Sequence, residues 1–295
     1  MRFRDGFSLD EIRELKMPGL SRRFLFLSDP DRASGADSVV VVGMNIRLEV
    51  RESLRAGLIL AEEGVEGFPA EIPVIRISSA RQTVAAIINA LSERIERDIP
   101  FEAGTENNVH PSAVVEGVLG GGVTVGAHAF VSAQTFVGRG TVIQPGAVIG
   151  AAGFGFFESG GGLAPMPHEA GVVIGSDCFI GANTVIAAGV LHPTEIGDGC
   201  KLDSHVQIAH NVRLGARSLM ASQSGIAGST VIGEGFRMGG AASVSGHLRI
   251  GRNVSVAAKS GVTKDIPDNA VVAGFPARPI AEWRRDLAMS RKRDA

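Results

Sequence analysis

The sequence has no tyrosine, one tryptophan and two cysteines among 295 residues, and its formal net charge is −2. With only Cys178 and Cys200, a disulfide framework is disfavoured and a reducing, cytoplasmic location is predicted. The near-neutral charge gives no reason to expect nucleic acid as a partner. No segment reaches the roughly 18 apolar residues that a membrane span needs, and the first residues lack the apolar core of a signal peptide.

Glycine is abundant, with 39 residues and no three-residue collagen period, which predicts many tight turns. An aliphatic residue or methionine also recurs every six positions, at Ile196, Leu202, Ile208, Leu214, Met220, Ile226, Ile232, Met238, Val244, Ile250, Val256 and Val262. Earlier runs share this period at Leu119, Val125, Val131, Val137, Ile143 and Ile149, and at Ile174, Ile180 and Ile186. A hexapeptide period excludes an amphipathic helix and predicts a mainly β fold, a parallel β-helix with three hexads in each 18-residue coil.

The repeat divides the chain into three predicted parts. Residues 1–105 lack it and alternate strand-like with helix-like stretches, which predicts an α/β domain that is a candidate for nucleotide binding. Residues 106–268 form the β-helix, interrupted by a long Gly- and Pro-rich excursion between Ile149 and Ile174 and a shorter one before Ile196. Residues 269–295 are predicted to leave the β-helix as a net basic helical tail.

Coil arithmetic selects two of the seven histidines. Eighteen residues make one coil, so Gly228 is predicted one coil beyond His210, and His247 about two coils along the same face. A histidine beside a backbone N–H suits general-base attack on an acyl group, with the N–H donating to the oxyanion. The alternative is that both histidines occupy corners only because exposed corners tolerate polar groups. The sequence has no metal-binding spacing and no P-loop, so no metal or cofactor is predicted.

Four segments carry a resemblance to a known family: VIGAAGFGFFESGGGLAPMPHEAGVVIG, GDGCKLDSHVQIAHNVRLG, GGAASVSGHLRIG and VVAGFPARPIAEWRR. Together they resemble the UDP-3-O-acylglucosamine N-acyltransferases of lipid A biosynthesis, in the family's order. The resemblance implies a left-handed β-helix and a homotrimer with active sites between neighbouring subunits. It also implies transfer of a 3-hydroxyacyl chain from acyl carrier protein to the 2-amino group of a UDP-glucosamine derivative.

By matching position, the resemblance makes His210 the general base, Gly228 the oxyanion donor, His247 a second active-site histidine and Asp203 an orienting carboxylate. It also implies a set of substrate-binding residues, namely Phe154, Gly155, Phe156, Ser204 and Gln207. The basic tail after Trp283 is expected to meet the acidic carrier protein. The carrier thioester would then be a co-substrate, and no further cofactor is implied.

The sequence departs from this family at several places. Ala187-Ala188-Gly189 stands where the family usually has Asp-Arg-Gly, and Asp203-Ser204 stands where it usually has Asp-Asn. The first run of repeats is about one coil short, and the tyrosine that stacks on uracil in relatives has no counterpart here. Two alternatives therefore stay open. The first is a transferase for a different nucleotide amino sugar, with acyl-CoA such as acetyl-CoA as donor. The second is a β-helix scaffold without catalytic activity.

Overall fold

The N-terminal part contains one mixed sheet and two α-helices. In the computed structural model, residues 1–12, 15, 22–28, 30, 35–44, 46, 48–96, 102–274 and 289 are described. The strands are β1 (Arg2–Phe7), β2 (Phe24–Ser28), β3 (Ser38–Val42), β4 (Leu58–Glu62), β5 (Val74–Ile77) and β6 (Ile95–Glu96), and the helices are α1 (Leu48–Glu52) and α2 (Ala80–Leu91). The order across the sheet is β5-β4-β3-β2-β1-β6, with β2 to β5 parallel and β1 antiparallel to both its neighbours.

This sheet is buried because its central strands are almost entirely apolar. Val39, Val40 and Leu60 have no exposed surface, as expected for parallel strands covered on both faces. Helix α2 packs its Val84, Ile87 and Ile88 side against this sheet, in one core with the aromatic residues of β1. Short 3₁₀ turns at Leu9–Glu11 and Ser92–Arg94 complete the described part of this unit.

From residue 108 the chain winds into a prism with three parallel sheets. The first sheet contains β7 (Asn108–Val109), β10 (Thr124–Val125), β13 (Val142–Ile143), β18 (Phe179–Ile180), β21 (Lys201–Leu202), β24 (Leu219–Met220), β27 (Arg237–Met238), β30 (Ser255–Val256) and β32 (Val271–Val272). The second contains β8 (Val114–Val115), β11 (Phe130–Val131), β14 (Val148–Ala151), β19 (Val185–Ala187), β22 (Gln207–Ile208), β25 (Gly225–Ile226), β28 (Ser243–Val244) and β31 (Gly261–Val262). The third contains β9 (Val118–Leu119), β12 (Thr135–Val137), β17 (Val172–Ile174), β20 (Thr194–Ile196), β23 (Arg213–Leu214), β26 (Val231–Ile232) and β29 (Arg249–Ile250).

The register of these sheets follows the sequence period. Ile208 pairs with Ile226, and Ile226 pairs with Val244, so each coil consumes eighteen residues. The periodic aliphatic residues point inward and form one continuous buried core along the prism. Burial of this apolar column supplies the main stabilisation of a solenoid whose coils contact only their neighbours. The mainly β fold and the parallel β-helix are thus confirmed, while its left hand stays a prediction.

Most corners of the prism turn through one residue in the left-handed region. Non-glycine residues with φ near +60° recur every six positions between His205 and Ser229, and His247 and Lys259 continue the series. Asn211 is one of them, and asparagine tolerates this conformation better than most residues. The corner conformation therefore fixes the direction in which the neighbouring side chains leave the backbone, including that of His210, which precedes Asn211.

The end of the prism differs from the prediction that placed it at residue 268. Strand β32 (Val271–Val272) pairs with β30, and Ile266 bridges Ile250, so the stack continues past that point. The physical reason is a shortened coil, because Val272 follows its partner Val256 by sixteen residues instead of eighteen. This two-residue deficit breaks the sequence phase without ending the stack. The helix predicted around Trp283 lies outside the described residues.

Both excursions lie between the prism and the N-terminal unit. The longer one contains an antiparallel hairpin of β15 (Phe156–Ser159) and β16 (Gly162–Pro165). Its Glu158 carbonyl accepts a hydrogen bond of 2.6 Å from the Gln82 side chain of α2. The shorter excursion inserts Leu191 into the apolar core of the N-terminal unit. Helix α2 is thereby held over the corner of the prism that carries His210.

Candidate active site

The imidazole of His210 is fixed in one tautomer by the residue that follows it. Asn211 is buried, and its Nδ2 donates to the His192 carbonyl at 2.9 Å while its Oδ1 accepts from Val190 N at 3.3 Å. These two bonds orient the amide, so Oδ1 faces His210 Nδ1 at 3.1 Å and accepts a hydrogen bond from its N–H. The proton therefore sits on Nδ1, and Nε2 of His210 keeps the lone pair that a general base needs.

Gly228 lies one coil beyond His210, where the coil arithmetic placed it. A Cβ atom on Gly228 would be only 2.7 Å from both Cε1 and Nε2 of the His210 ring, so the ring lies directly against this backbone. The neighbouring Ser229 N donates to the His210 carbonyl at 2.9 Å, whereas the N–H of Gly228 has no acceptor among the described residues. A free backbone donor beside a basic nitrogen is the arrangement that stabilises an oxyanion during acyl transfer.

His247 lies on the following coil, and its backbone N donates to the Gly228 carbonyl at 3.0 Å. It occupies an exposed corner, yet the protein packed around its ring partly desolvates it. This burial, followed by the proximity of His210 and Arg81, lowers the pKa of His247. His247, Arg81, Asn211 and Ser229 line a cavity of about 260 Å³ between α2 and the prism. His247 is thus placed to contact a polar group next to His210, in its neutral form.

A second, larger cavity of about 610 Å³ opens along the outer face of the second sheet. Four of the residues predicted from the sequence line it, namely Phe154, Gln207, His210 and Gly228. The rest of its wall consists mainly of small or aliphatic side chains: Ala152, Val185, Ala187, Ala209, Ile226, Ala227 and Val244. Its volume is in the range of small-molecule sites, and its apolar wall suits a hydrocarbon chain with the reacting group at His210.

Gly155 and Phe156 lie beside this cavity without lining it. The Phe156 ring packs edge-on against Phe154 with ring centroids 5.3 Å apart, and Phe154 itself is 89% exposed. The Phe156 carbonyl accepts a long hydrogen bond from Arg81 at 3.4 Å. The predicted substrate loop therefore presents one aromatic side chain to the cavity and supports it with the other.

Asp203 and Ser204 lie at a different corner of the same coil, between the first and second sheets. The Asp203 carboxylate accepts hydrogen bonds from Ser204 N at 2.7 Å and from Ser222 N at 3.1 Å. Neither residue lines the cavities beside His210. Because Asp203 precedes His210 by seven residues, one full strand separates them, and within one subunit Asp203 acts on the backbone of its own corner. Its orienting role and the substrate contact of Ser204, which the resemblance assigns to a site between subunits, stay predictions.

Ala187 and Ala188, the first departure from the family pattern, lie where the shorter excursion begins, beside the start of the long one. Both are buried, and the Ala188 N–H donates to the Ala151 carbonyl at 2.8 Å. Ala187 also lines the larger cavity. An Asp at this position would place a carboxylate in the cavity wall, so its absence leaves that part of the wall apolar.

The two cysteines are packing residues of the prism core. Each is free and buried, and their thiols donate to the Gly197 and Gly215 carbonyls, both at 3.3 Å. Burial raises the pKa of Cys178 to about 11 and raises that of Cys200 as well, so neither is a nucleophile near neutral pH. Among the described residues, no group of three His, Cys, Asp or Glu side chains is placed to hold a metal ion.

Sequence reasoning missed two residues of this site. Asn211 directly follows His210 in QIAHNV, and its position at a left-handed corner was a usable signal for a side chain turned back onto its neighbours. His168 belongs to the long excursion, outside the hexapeptide phase, and its ring packs against that of His210. No periodicity in the sequence relates these two histidines.

Known proteins resemble this chain over the same part. Residues 171–204 match the model of the hexapeptide repeat of succinyl-transferase. UDP-3-O-acylglucosamine N-acyltransferase 2 of Legionella pneumophila strain Paris is 48% identical over 151 residues, which are 51% of this chain and 44% of that protein. The protein of the same name from strain Philadelphia 1 is 54% identical over an equal length. The chain thus spans less than half the length of the curated relatives it matches.

Two solved structures match parts of this chain at lower sequence identity. A UDP-N-acetylglucosamine acyltransferase superposes with a TM-score of 0.49 at 24% identity, covering 68% of this chain and 80% of that one. The enzyme of the same name from Campylobacter jejuni has a TM-score of 0.45 at 26% identity, covering 54% and 68%. No helix among the described residues is long and apolar enough to cross a membrane. Over 151 residues, then, this chain is similar to the UDP-3-O-acylglucosamine N-acyltransferases, the family that its hexapeptide motifs resemble.

Proposed function

We propose that this protein is an N-acyltransferase that moves a 3-hydroxyacyl chain from acyl carrier protein to the 2-amino group of a UDP-glucosamine derivative in lipid A biosynthesis. The observation that carries the proposal is the pairing of His210 with Gly228. An imidazole with its proton fixed on Nδ1 lies against the backbone of Gly228, whose N–H has no acceptor among the described residues. The named relatives are N-acyltransferases of such a sugar, which supports the choice of reaction.

In the proposed reaction, the amino group of the sugar attacks the thioester carbonyl while Nε2 of His210 removes a proton from the amine. The carbonyl oxygen becomes an oxyanion and accepts the hydrogen bond of Gly228 N–H. Collapse of this intermediate forms the amide and breaks the carbon–sulfur bond, and the proton passes from His210 to the leaving thiolate. His247 positions or polarises the acceptor from the next coil. No covalent acyl-enzyme is needed.

We further propose that the active form is a homotrimer and that the carrier protein is its partner, in the cytoplasm. Large apolar side chains on the outer face of the first sheet support association between prisms, since Phe179 is 37% and Leu219 is 45% exposed. Sedimentation of the full chain should give three times the subunit mass. A monomer that transfers acyl chains at the full rate would contradict this part of the proposal.

The test of the catalytic assignment is His210→Ala, with thioester consumption and product mass measured on acylated carrier protein and a panel of UDP-amino sugars. Loss of a general base lowers the rate by about 10²- to 10⁴-fold. His205→Asn is the matched control, because His205 is an exposed corner histidine of the same coil with φ of 58°. An unchanged rate in His210→Ala would remove His210 from the mechanism.

The apolar wall at Ala187 favours a second candidate, a transferase for a different nucleotide amino sugar that uses acyl-CoA. The Asp-Arg pair that the family usually has at positions 187 and 188 is replaced there by two alanines. The same assay separates the two, because it compares acyl-CoA with acylated carrier protein for every sugar. Consumption of acyl-CoA alone would favour the second candidate, and consumption of neither donor would favour a scaffold without catalytic activity.

A further inference from the structure

The long excursion brings a second histidine onto the general base. The His168 ring packs edge-to-face on the His210 ring, with centroids 5.2 Å apart and an interplanar angle of 63°. The two residues are 42 positions apart and belong to different structural units, the excursion and a corner of the prism. Edge-to-face packing of this kind is favourable and restricts the rotation of both rings.

The backbone on each side of His168 is anchored. Met166 N donates to the Gly155 carbonyl at 2.8 Å, and Ala170 N donates to the Gly189 carbonyl at 3.0 Å. His168 lies midway between these two bonds, so its backbone is held from both directions. The contact with His210 is therefore a built feature of the excursion rather than the chance position of a long side chain.

The glycines of the Gly-Phe-Gly segment leave room for this contact. A Cβ on Gly153 would be 2.6 Å from His168 Nε2 and 2.8 Å from His210 Cβ, closer than atoms of real side chains approach. A Cβ on Gly155 would be 3.1 Å from His168 Cε1. The pair of imidazoles thus requires glycine at position 153. At position 155 even a Cβ atom would be in tight contact with the His168 ring.

His168 is neutral in this position. Burial, and then the proximity of His210, lower its pKa to about 4, so at neutral pH it carries no charge. Neither of its ring nitrogens is exposed, and neither makes a well-formed hydrogen bond with the described residues, although the Met166 backbone lies near enough to favour the charged ring slightly. Buried nitrogens without good hydrogen bonds cost free energy.

We propose that His168 is a positioning residue for the general base of the proposed acyl transfer, on which this inference rests. Three contacts enclose the His210 imidazole: Asn211 at Nδ1, the Gly228 backbone beside Cε1 and Nε2, and the His168 ring. His168 prevents the imidazole from rotating away from the Gly228 N–H. It acts through its shape as a neutral aromatic ring and transfers no proton.

The first test compares His168→Ala with His168→Phe in the full chain. Alanine frees the imidazole to enter other rotamers, so kcat should fall about 10-fold while KM changes by less than about 2-fold. Phenylalanine restores a ring without nitrogens, and kcat should return to within about 3-fold of the original. If His168→Phe is as slow as His168→Ala, or if His168→Ala keeps its full kcat, the positioning role is refuted.

A second test does not depend on turnover. The ¹⁵N chemical shifts of the His210 ring report its tautomer, and we expect one Nδ1-protonated form in the original chain and in His168→Phe. In His168→Ala the shifts should move toward the average of two tautomers, and Gly153→Ala should move them likewise because its Cβ displaces both rings. Shifts that are the same in all four proteins would overturn the inference. If the original chain transfers no acyl group but the two variants still show these shift changes, only the proposed function is refuted.

Discussion

Gly228→Ala tests the central geometry of the site with the addition of one methyl group. The backbone of Gly228 is outside the left-handed region, so alanine is tolerated there without backbone strain. The new Cβ would lie 2.7 Å from Cε1 and Nε2 of His210, whereas ordinary contact begins at 3.4 Å. The imidazole must therefore retreat by about 0.7 Å, and a displacement near 1 Å in a catalytic group costs on the order of 10²-fold in rate. We expect kcat to fall by about 10- to 100-fold.

The assay is steady-state acyl transfer with saturating donor, together with urea unfolding to show that the fold is retained. Gly261→Ala is the matched control. Gly261 belongs to β31, two coils beyond the strand β25 that precedes Gly228, and a Cβ there would meet nothing within 4 Å. Its kcat should equal that of the original chain. If Gly228→Ala turns over within about twofold of the control, the His210 ring does not act from the position described, and the predicted displacement of the base is refuted.

Further predictions address the second histidine, the core, the pH dependence of stability and the thiols. His247→Asn, which keeps the left-handed corner, should raise the KM of the sugar acceptor more than it lowers kcat. Ile208→Ala removes a side chain with no exposed surface and should cost about 2–5 kcal/mol in urea unfolding. His168 titrates near pH 6.5 when unfolded but at about 4 when folded, so the unfolded state binds the extra proton and stability should fall as pH drops through this window. In thermal melts, His168→Phe should lose less stability than the original chain as the pH drops. An equal loss would contradict the lowered pKa of His168. A thiol reagent at pH 7.5 should label Cys178 and Cys200 only after denaturation, because both are buried with raised pKa values.

The hexapeptide period was sufficient to predict the β-helix because every coil buries and turns its chain in the same way. A buried aliphatic residue, a small side chain and a tight corner recur at fixed spacing, so the inward positions and the stacking of coils follow by counting. The adjacency of His210 and Gly228 follows from the same count, since both belong to one uninterrupted run. The error at residue 268 has the same origin, because a coil that is two residues short leaves the sequence phase while its strands still pair.

The parts of the site that the hexapeptide period could not predict lie in the segments that interrupt this period. His168 approaches His210 through an excursion whose path depends on tertiary contacts, among them the hydrogen bond from Gln82 of α2 to Glu158. Helix α2 in turn is held by the insertion of Leu191 into its core. The prism thus supplies a base and an oxyanion donor at a spacing fixed by eighteen residues, and the irregular segments supply what restrains that base. A histidine at a corner of the prism becomes a catalytic candidate only where such an excursion covers it. His210, which precedes the left-handed residue Asn211, meets that condition, whereas His205 occupies the left-handed position of an exposed corner of the same coil.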